Sequence, residues 1–383
     1  MQVARFYGDR GITLSKGYMQ YVWDTEGRRY IDAHTGHGVA FLGHSNPRIM
    51  ERVKETLTHA AFNGLSFKTS LEEEALEGLS KIAPSHLDTV IFQNTGSEAV
   101  EAALKLAWAH TGKTRIVAFK NSFHGRTLGA LSVTWNPRYR RGFPVLAETV
   151  FAPYNAGAEE LSKHITRGTA AVIVEPVQGE GGVVPGEPSF LKTVEKLARE
   201  SGALLIVDEV QTGYGRTGRT WSHMKAGIEP DILLAGKAVG GGVPVSLVMT
   251  RSDIAVSLKG GRHGSTHAGN PLALAAAAAS SRLLLEDDVA SKAAEKGALL
   301  KSLLARLAGH AAVRSIRGEG LMLGVELRFK PEPILKCLQA RGVLALKAGL
   351  TVVRLLPPYM ITREDIQQIS TSLGECIGLE HSG

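Results

Sequence analysis

The sequence is poor in cysteine, with only Cys337 and Cys376 among its 383 residues. The two do not form a CxxC pair, so we expect neither a disulfide framework nor a thiolate metal site. Long apolar runs are also lacking, since none approaches the ~18 residues that a membrane span requires. The N-terminus has no apolar segment typical of a signal peptide. We therefore expect a cytoplasmic protein without a membrane span or a bound metal.

Charge of one sign is in only small excess. Lys and Arg number 44 against 37 Asp and Glu, a net charge of +7 that permits an acidic partner without requiring one. We expect no nucleic-acid partner. Hydrophobic residues make up 44% and charged residues 21%, an ordinary globular balance that excludes disorder for the chain as a whole. At roughly 100–200 residues per domain, the length predicts two or three folding units.

The order of apolar runs predicts an α/β protein. Beyond about residue 55, short apolar strands alternate with helical stretches, and strands without polar alternation indicate a mainly parallel sheet buried on both faces. The predicted strands are 89–92, 115–119, 170–174, 203–207, 231–234 and 245–249, and the main helices lie at 98–109, 189–200, from 271 onward and at 291–307.

The same pattern divides the chain into parts. Residues 55–275 are predicted to form the large domain. Two β-prone runs separated by a turn, at residues 21–23 and 29–31, indicate a different, antiparallel arrangement near the N-terminus. We expect residues 1–54 and 276–383 to combine into a smaller α+β domain.

Polar groups follow three of the predicted strands, at the edge where open α/β sheets bind ligands. Gly96 and Ser97 start a helix after the first strand, where backbone N–H groups favour a phosphate. Asp208 and Glu209 end the fourth strand, and Lys237 follows the fifth strand before a run of glycines. Taken singly, Ser97 is more simply an N-cap and Lys237 a solvated surface lysine. Asp208 and Glu209 alone are compatible with a metal pair, a helix start or an acid partner for a cationic ligand.

Together these groups predict a pyridoxal-phosphate site, because an amine, a carboxylate and a phosphate cradle are what this cofactor requires. Lys237 would bond to the cofactor aldehyde, and Asp208 would keep the pyridine nitrogen protonated. Gly96 and Ser97 would hold the phosphate. Phe123, which follows the second strand, can stack on the ring.

Three other patterns fit their usual chemistry poorly. Residues 213–218 (GYGRTG) match the GxGxxG of nicotinamide-dependent dehydrogenases, but that motif begins directly at a strand end and the next strand closes on an acid. Here five residues, 208–212, separate the fourth predicted strand from Gly213, and the next strand closes on Lys237. Ala238 stands where a P-loop needs Ser or Thr. His34, His37 and His44 lack the well-placed carboxylate of a zinc site.

Six motifs in a fixed order resemble those of class III aminotransferases, and the resemblance extends from about residue 17 to 366. It implies the fold-type I architecture of pyridoxal-phosphate-dependent transferases, with a large domain around a mainly parallel seven-stranded sheet. The motifs are NTGSEA (94–99), SFHGRT (122–127), EPVQGEGG (175–182), DEVQTG (208–213), GKAVGGGVP (236–244) and GSTHAGNP (264–271).

The resemblance also implies roles for individual residues. Lys237 would carry the cofactor and Asp208 would meet the ring nitrogen. Val210 would pack on the ring face opposite Phe123, and Gln211 would reach the ring hydroxyl. The full set of cofactor-binding residues implied is Gly96, Ser97, Phe123, Asp208, Glu209, Val210, Gln211, Lys237 and Thr266.

Further residues are implied to complete the site from both subunits. Ser265 and Thr266 would cross from a partner subunit, Thr266 to the phosphate, in a homodimer with shared active sites. Within the family, the chain looks most like acetylornithine aminotransferases, in which Arg126 clamps a substrate carboxylate. Glu180 and Arg354 look like the pair that lets one pocket serve both a long amine and glutamate or 2-oxoglutarate.

The segment at residues 32–44 has little bulk and differs from the usual acetylornithine pattern. It looks like enzymes that act on lysine or ornithine precursors carried by the small acidic protein LysW, and a +7 chain suits an acidic partner. Arg138, Arg140 and Arg141 are candidate contacts, or a solvated basic loop. We expect an aminotransferase of lysine and arginine biosynthesis; the alternatives are N-acetylornithine as substrate, a nicotinamide-dependent dehydrogenase and a non-catalytic binding module.

Overall fold

The computed structural model describes residues 1, 3–4, 6–62 and 65–378. Strands over these residues are β1 (Leu14–Tyr18), β2 (Tyr21–Asp24), β3 (Arg29–Asp32), β4 (Thr89–Gln93), β5 (Arg115–Phe119), β6 (Thr149–Ala152), β7 (Thr169–Val174), β8 (Val177–Gln178), β9 (Val184–Pro185), β10 (Leu204–Glu209), β11 (Ile232–Ala235), β12 (Ser246–Thr250), β13 (Val313–Glu319), β14 (Met322–Leu327), β15 (Val343–Leu344), β16 (Leu346–Ala348) and β17 (Val352–Leu355).

Helices connect and cover these strands. In chain order they are α1 (Thr35–Gly38), α2 (Pro47–Leu57), α3 (Ser70–Ser80), α4 (Gly96–Thr111), α5 (Leu128–Ser132), α6 (Pro137–Arg140), α7 (Ala158–Ser162), α8 (Pro188–Ser201), α9 (Ser252–Ala255), α10 (Pro271–Glu286), α11 (Val289–Ala305), α12 (Glu332–Ala340) and α13 (Arg363–Ile377). Among the described residues, none of these helices is long and apolar enough to cross a membrane.

The central sheet has seven strands in the order β4-β12-β11-β10-β7-β5-β6. Strands β6, β5, β7, β10 and β11 run parallel, whereas β12 is antiparallel to both β11 and β4. Every residue of β7 and β10 is buried, as their unbroken apolar sequences predict. The predicted α/β class and mainly parallel sheet are therefore confirmed, with β6 as a strand that the apolar pattern did not predict.

The predicted helices also form, and helix α10 shows how small side chains set the packing. It begins after Asn270, whose side chain accepts a hydrogen bond from the Ala273 N–H, and it contains the alanine run at residues 275–279. Twelve of its sixteen residues are buried, because α10 lies against both α2 and α3. The alanine run is thus a close-packed helix rather than low-complexity sequence.

The two ends of the chain meet in one sheet. N-terminal strands β1, β2 and β3 are joined by the C-terminal strand β15, which pairs in parallel with β3. A second four-stranded sheet, β13-β14-β17-β16, lies in the C-terminal region. This arrangement is compatible with a small domain built from residues 1–54 and 276–383, a division that stays a prediction.

The cysteines correct one expectation from the sequence. Cys337 of α12 and Cys376 of α13 are joined by a disulfide, although the scarcity of cysteine argued against one. The two residues are 39 positions apart, so nothing local in the sequence relates them. The packing of α12 beside α13 brings their Cα atoms to 5.8 Å, which is within the range that a disulfide bridges.

Candidate active site

A cavity of about 400 Å³ opens at the carboxyl ends of the central strands. Its walls come from the turn after β11, the end of β10, the start of α4 and the loops after β5 and β8. The lining includes Gly96, Ser97, Phe123, Glu180, Asp208, Val210, Gln211 and Lys237. Eight of the predicted site residues therefore meet in one cavity, because parallel strands present their carboxyl ends at a common edge.

Lys237 enters this cavity from the turn that follows β11. Its backbone has a φ of 49°, in the left-handed region, which places the side chain at an abrupt change of chain direction. Burial lowers the pKa of Lys237 to about 8, although the nearby carboxylate of Glu180 acts in the opposite direction. The amine is therefore easier to deprotonate near neutral pH than an exposed lysine, as a nucleophile or a base requires.

Asp208 is held at the end of β10 with only 5% of its surface exposed. Its Oδ2 lies 2.7 Å from Nδ1 of His124, and its Oδ1 accepts a hydrogen bond of 3.0 Å from the Val210 N–H. His124 is itself buried, and its Nε2 has no hydrogen-bond partner among the described residues. The carboxylate is thus fixed in place, with His124 as a contact that the sequence did not single out.

The start of α4 fits a phosphate. Gly96 and Ser97 form its first turn, where free N–H groups and the helix dipole favour an anion. The Arg126 N–H donates to Ser97 Oγ at 3.3 Å, so the loop after β5 lies against this turn. A Cβ at Gly125 would come within 2.3 Å of Ser97 Oγ; only glycine lets the loop approach so closely.

Arg354 and Glu180 form an ion pair beside this cavity. Arg354 lies fully buried in β17, with Nη2 2.6 Å from Glu180 Oε1 and Nη1 3.0 Å from Oε1 of Gln211. Burial alone would raise the pKa of Glu180, but attraction to Arg354 and their hydrogen bond outweigh it and lower the pKa. Glu180 keeps 27% of its side chain exposed, whereas Arg354 is fully buried, so Glu180 is the partner that solvent reaches.

Arg126 stands at the cavity mouth among aromatic rings. Its guanidinium lies 5.4 Å from the ring of Tyr7, 5.5 Å from Phe123 and 4.8 Å from Tyr139, all within the range of cation–π attraction. Nη1 also donates to the Tyr7 hydroxyl at 3.0 Å. The sequence did not single out Tyr7 or Tyr139, since neither belongs to one of the six motifs.

Besides Arg126 and Arg354, three predicted residues lie outside the cavity lining. The Glu209 carboxylate accepts hydrogen bonds from the Ser222 and His223 N–H groups and contacts His223 Nδ1 at 2.7 Å. Its observed contacts therefore hold a neighbouring loop and not the cavity. Ser265 accepts a hydrogen bond from Asn94 Nδ2 at 3.2 Å, and Thr266 is exposed.

A buried carboxylate that the sequence analysis did not single out, Glu175, lines the cavity. Glu175 accepts hydrogen bonds from the Phe123 N–H at 2.9 Å and the Gly179 N–H at 3.2 Å. Burial raises its pKa to about 7, with His124 acting in the opposite direction. It thereby ties the loop that carries Phe123 to the loop that leads to Glu180, and its place at the start of the EPVQGEGG motif was the available signal.

The three N-terminal histidines do not converge. The rings of His34 and His37 meet edge to face at 4.9 Å, while His44 Nε2 lies 2.6 Å from Oδ2 of Asp32. Burial, followed by the proximity of His34, lowers the pKa of His37 to about 4. Over the described ranges, no group of three or more His, Cys, Asp or Glu residues is arranged to hold a metal ion.

Similarity to known proteins assigns the chain to a family. Residues 4–377 match the family model of class-III aminotransferases, and the chain belongs to that family. It is 50% identical over 377 residues to the LysW-aminoadipate semialdehyde/glutamate semialdehyde transaminase of Sulfolobus acidocaldarius, covering 98% of this chain and 97% of the relative. A protein of Aeropyrum pernix that bears the same name provisionally is 55% identical over 379 residues, with the same two coverages.

Solved structures of transaminases also match the fold of this chain. The ornithine aminotransferase of Toxoplasma gondii superposes with a TM-score of 0.93 at 32% identity, covering 98% of this chain and 92% of that one. An omega transaminase of Pseudomonas jessenii in complex with PMP gives 0.92 at 26% identity, with coverages of 98% and 96%. The chain is therefore a pyridoxal-phosphate-dependent transaminase. Its cavity suits that cofactor, with a buried amine, a fixed carboxylate and a helix start for the phosphate.

Proposed function

We propose that this enzyme exchanges a terminal amino group between a lysine or ornithine moiety linked to the carrier protein LysW and 2-oxoglutarate. The reaction belongs to lysine and arginine biosynthesis in the cytoplasm. The observation that carries the proposal is the ion pair of Glu180 with the buried Arg354, 2.6 Å apart, at the wall that faces Lys237. The names of relatives at 50% and 55% identity support the carrier-linked substrate.

The ion pair explains how one pocket accepts two unlike substrates. While Glu180 neutralises Arg354, the wall offers no unpaired cation, so the terminal amine of a long substrate can approach Lys237. When Glu180 swings toward solvent, Arg354 is free to hold the α-carboxylate of glutamate. Arg126 at the mouth holds the other carboxylate in each case, a task suited to the planar guanidinium.

Other residues of the chain act on the reacting atoms. Pyridoxal phosphate supplies the carbonyl group that receives the amino group and a ring that withdraws electrons. Lys237 Nζ takes the proton from the substrate carbon that bears the amino group, which its lowered pKa favours. Asp208 would keep a proton at the ring nitrogen, Ser97 and the start of α4 would bind the phosphate, and Val210 and Phe123 would enclose the ring.

We also propose a homodimer with shared active sites. Thr266 is exposed and outside the lining of its own cavity, so a phosphate contact by this residue has to be made in a second copy. An exposed apolar side chain lies close by, that of Leu65 at 48% exposure. Leu65 packs against Gly269, three residues beyond Thr266.

The substrate is tested by comparing carrier-linked lysine with N-acetylornithine as amino donors, at equal concentration and with 2-oxoglutarate as acceptor. We expect a higher kcat/KM for the carrier-linked donor. A clear preference for N-acetylornithine would instead assign the chain to the acetylornithine branch.

The dimer is tested by mixing two inactive variants. Lys237→Ala destroys the site of its own subunit, whereas Thr266→Glu would place a negative charge at the phosphate of its partner's site. Refolding the two variants together should restore activity, because one site of the mixed dimer then has both native residues. An absence of recovery in a mixture that does contain mixed dimers would contradict the shared site.

A further inference from the structure

A second cavity, here named the side groove, adjoins the active site. It has a volume of about 430 Å³ and is lined by segments 121–123, 135–139, 180–181 and 347–350. It shares Phe123 and Glu180 with the main cavity. The two spaces therefore meet at these two side chains, which gives a long substrate a path from one into the other.

The position of Arg126 determines what would occupy the side groove, if the proposed function holds. In a carrier-linked substrate, the amide nitrogen is attached to the same carbon as the α-carboxylate that Arg126 holds. The carrier's chain must therefore leave the active site next to Arg126. Tyr139, whose ring lies 4.8 Å from the Arg126 guanidinium, lines the side groove. The groove thus begins where the carrier's chain has to emerge.

Charge in the side groove favours an acidic occupant. Glu180 is neutralised by Arg354, and Lys347 is paired with Glu332 at 2.7 Å. Arg138 is exposed, and its guanidinium forms no hydrogen bond or ion pair within the described part of the chain. The side groove therefore presents one unpaired positive charge to an incoming chain.

The neighbouring arginines are not equivalent to Arg138. Arg140 lies over the ring of Phe151 at 4.9 Å and donates to the Trp135 carbonyl at 3.2 Å, so it is part of the packing. Arg141 is exposed but does not line the side groove. Of this basic cluster, only Arg138 is both unpaired and directed to the groove.

A third cavity, of about 570 Å³ beneath the N-terminal segment, is the other space near Arg126, through Tyr7. It shares no lining residue with the main cavity, and it includes the carboxylates of Asp9 and Asp32. Its Arg10 guanidinium is already bonded to Gln339 and to the Ala345 carbonyl. The carboxylates of Asp9 and Asp32 offset the charge of Arg10 in this cavity, so it offers an acidic chain no excess positive charge, whereas the side groove does.

We propose that the side groove seats the segment of the acidic carrier protein that bears the substrate, with Arg138 contacting its carboxylates. This inference rests on the proposed function and adds the path by which the substrate's carrier leaves the site. Arg138 is a specificity-determining residue in this arrangement, since it does not touch the reacting atoms.

The test compares Arg138→Glu in α6 with the matched control Arg141→Glu, an exposed arginine three positions later, just beyond the end of α6. With carrier-linked lysine, Arg138→Glu should raise KM about tenfold or more with little change in kcat, because a repulsive charge replaces an attractive one. Arg141→Glu should leave KM within about twofold of the unmodified enzyme. Added salt should reduce the difference between the two variants. Neither substitution should affect N-acetylornithine or glutamate, which do not enter the side groove.

Two results would overturn the inference. One is an equal rise in KM for both variants, and the other is an equal effect of Arg138→Glu on N-acetylornithine. Leu350→Glu, at the exposed rim of the side groove, adds an independent negative charge and should act in the same direction as Arg138→Glu. If the unmodified enzyme does not turn over carrier-linked lysine, the proposed function itself fails, which the wild-type assay shows before any variant is compared.

Discussion

The two walls of the active site are built differently. On the cofactor side, Asp208 and Lys237 stand at the ends of strands of the buried central sheet, and Ser97 stands at the start of helix α4. On the substrate side, Arg126, Glu180 and Arg354 come from two loops and from a strand of the C-terminal sheet. Fixed strand ends hold groups that must not move, whereas loops and ion pairs hold groups that different substrates displace.

The cofactor wall serves the chemistry, and the substrate wall serves the selection between substrates. Asp208 is held by His124 and a backbone N–H, neither of which a substrate needs to displace. The Glu180–Arg354 pair and the Arg126–Tyr7 hydrogen bond are contacts that a substrate carboxylate can replace. Changes on the cofactor wall should therefore reduce both half-reactions, and changes on the substrate wall should distinguish between them.

The largest effect is expected for Lys237→Ala. This variant should lose turnover with every donor, because no other described amine lines the cavity, while the phosphate site still retains some cofactor noncovalently. Steady-state assays and the absorbance of the bound cofactor measure both effects. Lys259→Ala, at an exposed lysine, is the control and should be unchanged. Transamination at the native rate by Lys237→Ala would remove this residue from the mechanism.

Asp208→Asn should come next, lowering both half-reactions by several orders of magnitude. The amide removes the charge that stabilises a protonated ring nitrogen, and charge-assisted hydrogen bonds are the stronger kind. Single-turnover rates with glutamate and with carrier-linked lysine measure the loss. Asp231→Asn is the control, because Asp231 binds the Leu205 N–H and Arg251 away from the cavity and should affect mainly the melting temperature. Normal rates for Asp208→Asn with both donors would disprove its assigned role.

Arg126→Ala should weaken both half-reactions to a smaller extent. Losing one charged, hydrogen-bonded contact costs about 2–5 kcal/mol, or roughly 30-fold to several thousand-fold in kcat/KM. Arg126→Lys keeps the charge but not the planar fork, so it should recover part of the loss. If Arg126→Ala slowed only one donor, Arg126 would determine selectivity together with Glu180 and Arg354, and it would not hold a carboxylate of both substrates.

The smallest expected effect is a pH dependence of cofactor capture. Only the neutral amine of Lys237 attacks an aldehyde, and burial lowers its pKa from 10.5 to about 8. The rate at which apoenzyme binds pyridoxal phosphate covalently should therefore rise about tenfold per pH unit below pH 8 and level off above it. Stopped-flow absorbance at constant cofactor concentration records the profile. A rate that still rises steeply beyond pH 9 would indicate an ordinary, solvated lysine.

Much of the cofactor wall was predictable from the sequence, because unbroken apolar strands indicate a buried parallel sheet whose carboxyl ends converge. The strand at residues 115–119 was predicted at its observed bounds, and Lys237, Asp208 and Ser97 lie in one cavity as expected. The antiparallel direction of β12 was not predictable, since a buried strand has the same apolar pattern in either direction.

The substrate wall was less predictable because its contacts join distant parts of the chain. Tyr7 and Arg126 are 119 residues apart. Away from this wall, the disulfide of Cys337 and Cys376 was unpredictable for the same reason, since it joins two helices that meet only in the fold. The Glu180–Arg354 pair was expected from resemblance and not from any local pattern. Glu209, adjacent to Asp208, holds the loop at Ser222 and His223, and its cofactor role stays a prediction.

The most direct test of the two-wall account is the ratio of the two half-reactions in Arg354→Ala. Single-turnover rates with glutamate and with carrier-linked lysine are measured on the same preparation and divided by those of the unmodified enzyme. We expect glutamate to slow about 30-fold or more, because it loses the contact to its α-carboxylate, and carrier-linked lysine to change by less than about threefold. Equal losses with both donors would contradict the account and leave Arg354 as a structural cation.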